Sequence, residues 1–166
     1  KFQKISAQLS HRGPDSSSFY KNSKNLFLHT RLSIIDLNGG NQPIINNDLV
    51  LVANGEIYND PEIRSTYKTY NYKTESDSES IMTLYYNEGV NGLEKLRGMY
   101  AFAIYDKKKD CTILGRDIFG IKPLYFSLIK DGIIFSSEIT PLIKSKFVKK
   151  NISEEKLIEY FELQYT

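Results

Sequence analysis

The side chains able to do chemistry in this 166-residue chain fall in four short segments. His11-Arg12-Gly13-Pro14-Asp15 puts an imidazole, a cation and an anion on a turn stiffened by Gly-Pro. Taken alone, it reads as a salt-bridged surface loop. Arg31-Leu32-Ser33-Ile34-Ile35-Asp36 opens an apolar stretch with a guanidinium, and Gly40-Asn41-Gln42-Pro43 follows. An arginine there can clamp a carboxylate through two parallel hydrogen bonds. The plainer alternative is an edge-strand arginine held by Asp36 or by solvent. Asn54-Gly55-Glu56-Ile57-Tyr58-Asn59 comes straight after the apolar run Leu49 to Ala53. Asn-Gly alone reads as a hairpin turn. Its chemical reading is an oxyanion hole, with the Asn54 amide and the Gly55 N–H as donors, each worth about 3 kcal/mol in a transition state. The fourth segment, Ser76-Asp77-Ser78-Glu79, has capping-box spacing and adds a carboxylate, Asp77, able to bind an ammonium group. An arginine for a carboxylate, an aspartate for an ammonium and paired donors after a strand together describe hydrolysis at the side-chain amide of an amino acid.

Other chemistries lack their signatures. There is no glycine-rich phosphate loop ending in Lys-Ser or Lys-Thr, no dinucleotide fingerprint and no nucleophile elbow. The two histidines, His11 and His29, do not have metal-ligand spacing, and one cysteine, Cys111, excludes an internal disulfide and a four-cysteine zinc site. Cys111 opens an apolar strand and reads as a buried structural thiol. A net charge of +2 is too small to point to nucleic acid or an acidic membrane surface. No apolar run approaches the roughly 20 residues a membrane span requires, and no signal-peptide stretch opens the chain. A lone thiol and few histidines suit a cytoplasmic setting.

These groups need a scaffold. Hydrophobic residues make up 40% of the chain and charged residues 25%, which suits one globular domain with a real core. The segment Ser10 to Ser18 is polar and reads as a loop. Short strands are expected at Leu26 to Leu28, Arg31 to Leu37 and Leu49 to Ala53. From Ser76 the apolar period becomes helical, with Ser76 as cap and Gly89 as stop, and a second short helix follows over Gly92 to Leu96. Met99 to Tyr105 reads as a strand buried on both faces. Cys111 to Leu114, Leu124 to Leu128 and Ile133 to Ser136 read as further strands, the last two joined at Asp131-Gly132. Helices follow over Glu138 to Lys144 and Ser153 to Leu163, with Ser153 as N-cap. Strands not separated by a helix at every step predict an antiparallel α+β architecture, with two packed sheets covered by helices.

The four segments resemble the glutaminase domain of glutamine-hydrolysing asparagine synthetases, a class II glutamine amidotransferase. The likeness extends through His29-Thr30-Arg31, Gly98-Met99-Tyr100-Ala101-Phe102-Ala103, Arg116-Asp117-Ile118-Phe119-Gly120-Ile121-Lys122-Pro123-Leu124-Tyr125 and Ser136-Ser137-Glu138, in the family's order. It implies the N-terminal-nucleophile hydrolase fold, a four-layer αββα sandwich of two mostly antiparallel sheets. Arg31 would bind the glutamine α-carboxylate, with Leu32, Ser33, Ile34 and Ile35 lining the pocket. Asn54 and Gly55 would form the oxyanion hole, and Glu56 and Asp77 would hold the α-amino end. Residues 116–125 would be a structural loop and strand. The family's nucleophile is a cysteine at the mature N-terminus whose own amine acts as base. The sequence given starts at Lys1, so it is expected to be truncated and inactive by itself. The resemblance implies a glutaminase domain over 1–150 and, over 151–166, the start of a connection to a synthetase domain. That synthetase domain would use ATP and Mg2+ to make asparagine from aspartate. The glutaminase domain would need no cofactor or metal, and a homodimer is possible. Two other readings stay open: a non-catalytic glutamine-binding relic, and an amidotransferase domain serving a different acceptor.

Overall fold

The computed structural model describes residues 2–32, 40–149 and 151–164. They form α1 (Phe2–Leu9), β1 (Ser16–Lys21), β2 (Leu26–Arg31), β3 (Ile44–Asn46), β4 (Leu49–Ile57), α2 (Asp60–Thr66), α3 (Glu79–Glu88), β5 (Gly98–Asp106), β6 (Cys111–Arg116), β7 (Tyr125–Ile129), β8 (Gly132–Ser136), α4 (Ile139–Lys144) and α5 (Glu154–Leu163), with a 3-10 segment over Gly89–Lys95. Two compact units divide at Leu124 and Tyr125. Every strand pairing within a sheet is antiparallel.

In the first unit, β3-β4-β5-β6 make one sheet and β1-β2 a separate ribbon. The period-2 alternation of β4 and β5 sorts their side chains onto two faces. Leu49, Leu51, Ala53, Ile57, Phe102 and Ile104 pack with Ile63 of α2 and with Ile81, Met82, Leu84 and Tyr85 of α3. Val50, Val52, Ala101, Ala103 and Tyr105 are also buried, on the opposite face. Phe27 of β2 stacks on Tyr105 there, with ring centroids 6.3 Å apart. On the far side of the ribbon the Thr30 hydroxyl donates to the Leu9 carbonyl of α1 at 3.3 Å. The layers are therefore α2–α3, sheet, ribbon and α1, the expected αββα order.

The second unit is simpler. Tyr125 pairs with Ser136 across a hairpin that turns at Lys130-Asp131, with Gly132 opening the return strand at φ +157°. α4 buries Pro141 and Leu142, and α5 begins with the Ser153 hydroxyl accepting from the Lys156 N–H.

Several local expectations change. α1, β3 and α2 are additional elements, and β1 starts at Ser16 inside the segment read as a loop. Asn54-Gly55 is not a turn: β4 runs through it to Ile57. Ser76 does not cap α3. The helix starts at Glu79 after Ser78, which makes no side-chain cap bond. The Glu79 carboxylate reaches back to the Lys73 and Thr74 N–H groups instead. Cys111 is half-buried, so it is not the buried thiol expected.

Candidate functional site

Along β4, backbone N–H groups point alternately to its two neighbours. Tyr100 directs its carbonyl and its N–H to Asp117, away from β4. Gly55 lies opposite Tyr100 in the register, so Gly55 turns its own N–H to the other edge. Its same-parity neighbours Ala53 and Ile57 do likewise. β3 has already ended, because its last partner on this side is Leu51. Two side chains cap the exposed edge. The Gln42 carboxamide oxygen accepts from the Ala53 N–H at 2.6 Å, and the Asp77 carboxylate accepts from the Ile57 N–H at 2.5 Å. Between them the Gly55 N–H faces an edge where it has no acceptor among the described residues.

Gly55 also has a steric reason to be glycine. Its φ is +147°, and a Cβ there would stand 2.0 Å from the Met99 carbonyl oxygen. Beside it, the Asn54 Nδ2 group is buried and has no hydrogen-bond partner among the described residues. A buried amide donor without a partner is uncommon in folded proteins and marks a place where an acceptor belongs. A side-chain N–H and a backbone N–H on adjacent residues thus form a donor pair at the end of a sheet. Such a pair suits a developing oxyanion.

The ribbon brings the cation. Phe27, His29 and Arg31 alternate on one face of β2. Arg31 is buried, and its Nη1 donates to the Asn41 side chain at 3.0 Å. The segment before it is clipped to the same strand end: Asp15 N–H donates to the Arg31 carbonyl at 3.1 Å. A Cβ on Gly13 would lie 2.3 Å from the Thr30 carbonyl carbon. His11 to Asp15 is a surface loop, exposed except at Gly13, whose backbone is clipped to the strand end. Burial above all, helped by the Arg31 charge and opposed by the Ala53 backbone, lowers the His29 pKa to about 4.

Asp77 comes from the loop before α3 and Glu56 from β4. Burial raises the Asp77 pKa, opposed by N–H donors from Ile57 and Ser78 and reinforced by the charges of Asp60 and Glu56. Asp60 is paired with Arg64, which leaves Asp77 and Glu56 as the carboxylates that favour a cation such as an ammonium group. Glu56 is exposed and shares the Asn54 face of β4. Leu32 is exposed at 56%, while Ser33, Ile34 and Ile35 lie outside the described residues. Arg31, Asn54, Gly55, Glu56 and Asp77 are thus carried by the adjoining ends of β2, β4 and the loop before α3.

Asp117 holds the sheet behind the donors. Burial acts to raise its pKa, but backbone N–H groups of Lys122, Ile121, Tyr100 and Phe119 hold it below the usual carboxylate range. Arg116 closes the same loop on the carbonyls of Lys122 (2.7 Å) and Gly120 (2.5 Å). This agrees with a structural part for residues 116–122. A cleft of about 320 Å³ elsewhere is lined by Asn59, Tyr67, Lys95 and Arg97 among others and includes none of the expected site residues. Among the described residues, no group of three or more His, Cys, Asp or Glu could hold a metal ion, and no helix is long and apolar enough to cross a membrane.

Two contributors have a visible signal but no role assigned from sequence. Gln42 stands within a motif, yet its acceptor role depends on where β3 ends. Arg64 and Asp60 have i,i+4 spacing, which marks an ion pair, but nothing in that spacing says which loop the pair grips.

Comparison with known proteins speaks to the family and the fold. A family model described as a glutamine amidotransferase domain matches residues 1–166. Asparagine synthetase [glutamine-hydrolyzing] 2 of Bacillus subtilis is 43% identical over 136 residues, covering 81% of this chain and 18% of that protein. Asparagine synthetase B [glutamine-hydrolyzing] of Escherichia coli is 43% identical over 143 residues, covering 84% of this chain and 26% of its own length. The chain thus spans about a quarter or less of these relatives. Among solved structures, a glutamine phosphoribosylpyrophosphate amidotransferase from B. subtilis, complexed with ADP and GMP, aligns with a TM-score of 0.66. It is 20% identical and covers 84% of this chain and 39% of that one. At that identity the likeness speaks for the fold.

Proposed function

Since this chain belongs to the glutamine amidotransferase domain family, we propose that it forms the glutamine-hydrolysing half of an asparagine synthetase. In this reading Arg31 takes the α-carboxylate of glutamine, with Leu32, Ser33, Ile34 and Ile35 beside it. Asp77 and Glu56 take the α-ammonium group. With both ends of the amino acid held, the side-chain carboxamide is delivered to Asn54 and Gly55. The family's thiolate adds to the carboxamide carbon, and the carbonyl oxygen becomes an oxyanion between Asn54 Nδ2 and the Gly55 N–H. Collapse of that adduct breaks the C–N bond, and the nitrogen leaves as ammonia after gaining a proton. Water then cleaves the thioester to give glutamate and restore the thiol. The ammonia passes to a synthetase domain, where ATP and Mg2+ would activate aspartate as the acceptor. The relatives' names and the short share of their length that the chain covers support this larger assignment. A cytoplasmic setting is part of the reading, supported by the lone cysteine.

The observation that carries the proposal is the buried, unpartnered Asn54 amide beside the open-edge Gly55 N–H. Asn54→Ala in the full-length protein tests it. Loss of one donor of this kind lowers glutaminase kcat by about 100-fold, while synthesis from free ammonia persists. Equal loss of both activities, or unchanged glutaminase, refutes the assignment.

A further inference from the structure

We propose that Arg64 is a positioning residue for recognition of the substrate's α-ammonium group, acting by clamping the loop that carries Asp77. The inference rests on the ammonium-binding reading of Asp77.

Arg64 lies in the last turn of α2 and its side chain is only 21% exposed. Its Nε donates to both carboxylate oxygens of Asp60, at 2.9 and 3.1 Å. Its Nη2 donates to the carbonyls of Ser76, at 2.8 Å, and Thr74, at 3.3 Å. The guanidinium carbon sits 4.1 Å from the centre of the Tyr72 ring. Asp60 is held in turn by the Ser80 hydroxyl of α3 at 2.6 Å. One side chain therefore joins α2, the loop and the first turn of α3.

The gripped carbonyl of Ser76 immediately precedes Asp77. The rest of the loop is fixed from the opposite polarity: the fully buried Glu79 carboxylate accepts from the N–H groups of Lys73, at 2.9 Å, and Thr74, at 2.7 Å. Glu79 takes the loop's donors and Arg64 its acceptors. With both engaged, the Asp77 carboxylate stands on the Ile57 N–H, two residues along β4 from Gly55. The clamp thus sets the distance between the ammonium-binding carboxylate and the oxyanion donors. Lysine keeps the charge but lacks the fork that serves Asp60 and two carbonyls together.

The test uses the full-length protein with Arg64→Lys, Asp77→Asn and the double variant. Each is assayed with glutamine and with the analogue lacking the α-amino group, as substrate or competitor. Arg64→Lys is expected to lower kcat/KM for glutamine about tenfold and to change recognition of the analogue by less than about twofold. In the Asp77→Asn background it adds less than about twofold, because both changes disable one interaction. Urea unfolding of each full-length variant, followed by circular dichroism, reports that the glutaminase domain is folded. If Arg64→Lys fails to fold, Ser80→Ala loosens the same clamp and is expected to give the same selective loss. Equal losses for glutamine and the analogue, or full additivity with Asp77→Asn, overturn the proposal and leave Arg64 a part of the fold alone. An Asp77→Asn variant that treats both compounds as the parent does removes the underlying reading of Asp77, and the role of Arg64 with it.

Discussion

Gln42 shows how one polar side chain can set the chemistry of another residue. Its carboxamide ends the β3–β4 ladder by taking the Ala53 N–H, and it is itself buried. Gln42→Ala leaves that N–H without an acceptor in a dry place. A loss of about 1–3 kcal/mol in urea unfolding is expected, together with a fall in glutaminase kcat, as the strand end carrying Asn54 loosens. Gly55 is constrained differently. Gly55→Ala forces a Cβ onto the Met99 carbonyl at a φ of +147°. The backbone strain alone amounts to about 1–3 kcal/mol. The variant is expected to unfold at lower urea and to lose glutaminase activity even where it remains folded. Unchanged unfolding and turnover in these variants would contradict the edge geometry.

The loop from Arg116 to Lys122 works as a unit. Asp117 gathers N–H groups from its own loop and from Tyr100 of β5, so one carboxylate joins the loop to the strand facing Gly55. Asp117→Asn replaces an acceptor oxygen by an NH2 group facing donors. Faster amide hydrogen exchange is expected at Tyr100, Ile121 and Lys122, with Ile113 in β6 little changed. Uniform acceleration across the sheet would mean that Asp117 supports the whole fold instead. The helix α3 illustrates the limits of pattern reading. Glu79, Ser80, Ile81, Met82, Thr83, Leu84 and Tyr85 are all buried in sequence, so no polar face separates from an apolar one. Its period was legible in Ile81, Leu84 and Tyr85, whereas its true start was not, because Glu79 is engaged by a loop rather than by the helix's own first turn.

In the first unit, the sheet and the ribbon meet at His29, and this contact couples its stability to pH. Its pKa in the folded protein is about 4, against 6.5 ordinarily. The unfolded chain therefore binds the proton more readily. The neutral imidazole's contribution is complete above pH 6.5 and declines as pH falls through the interval down to about 4. Between pH 7 and pH 5 this lowers unfolding free energy by about 2 kcal/mol. Urea titrations at the two pH values measure it, with His29→Gln as the comparison. A variant retaining the full pH dependence would assign it to other groups.

Much of the architecture was readable from local order. The apolar run Met99 to Tyr105, the Asp131-Gly132 hairpin, the Ser153 cap and the Gly89 stop are properties of neighbouring residues, and nearby atoms enforce them. The candidate site residues were also named by type and motif. Their arrangement was decided at longer range. Asn54-Gly55 lies within a strand because nine consecutive residues of β5 pair with β4, which outweighs the turn preference of two. Among the described residues the Gly55 N–H is left open because β3 stops short while Gln42 and Asp77, 13 residues before it and 22 after, occupy its neighbours. The ionisation of His29 likewise follows from burial between the sheet and the ribbon. Such effects depend on which surfaces lose water together, and that is a property of the packed chain.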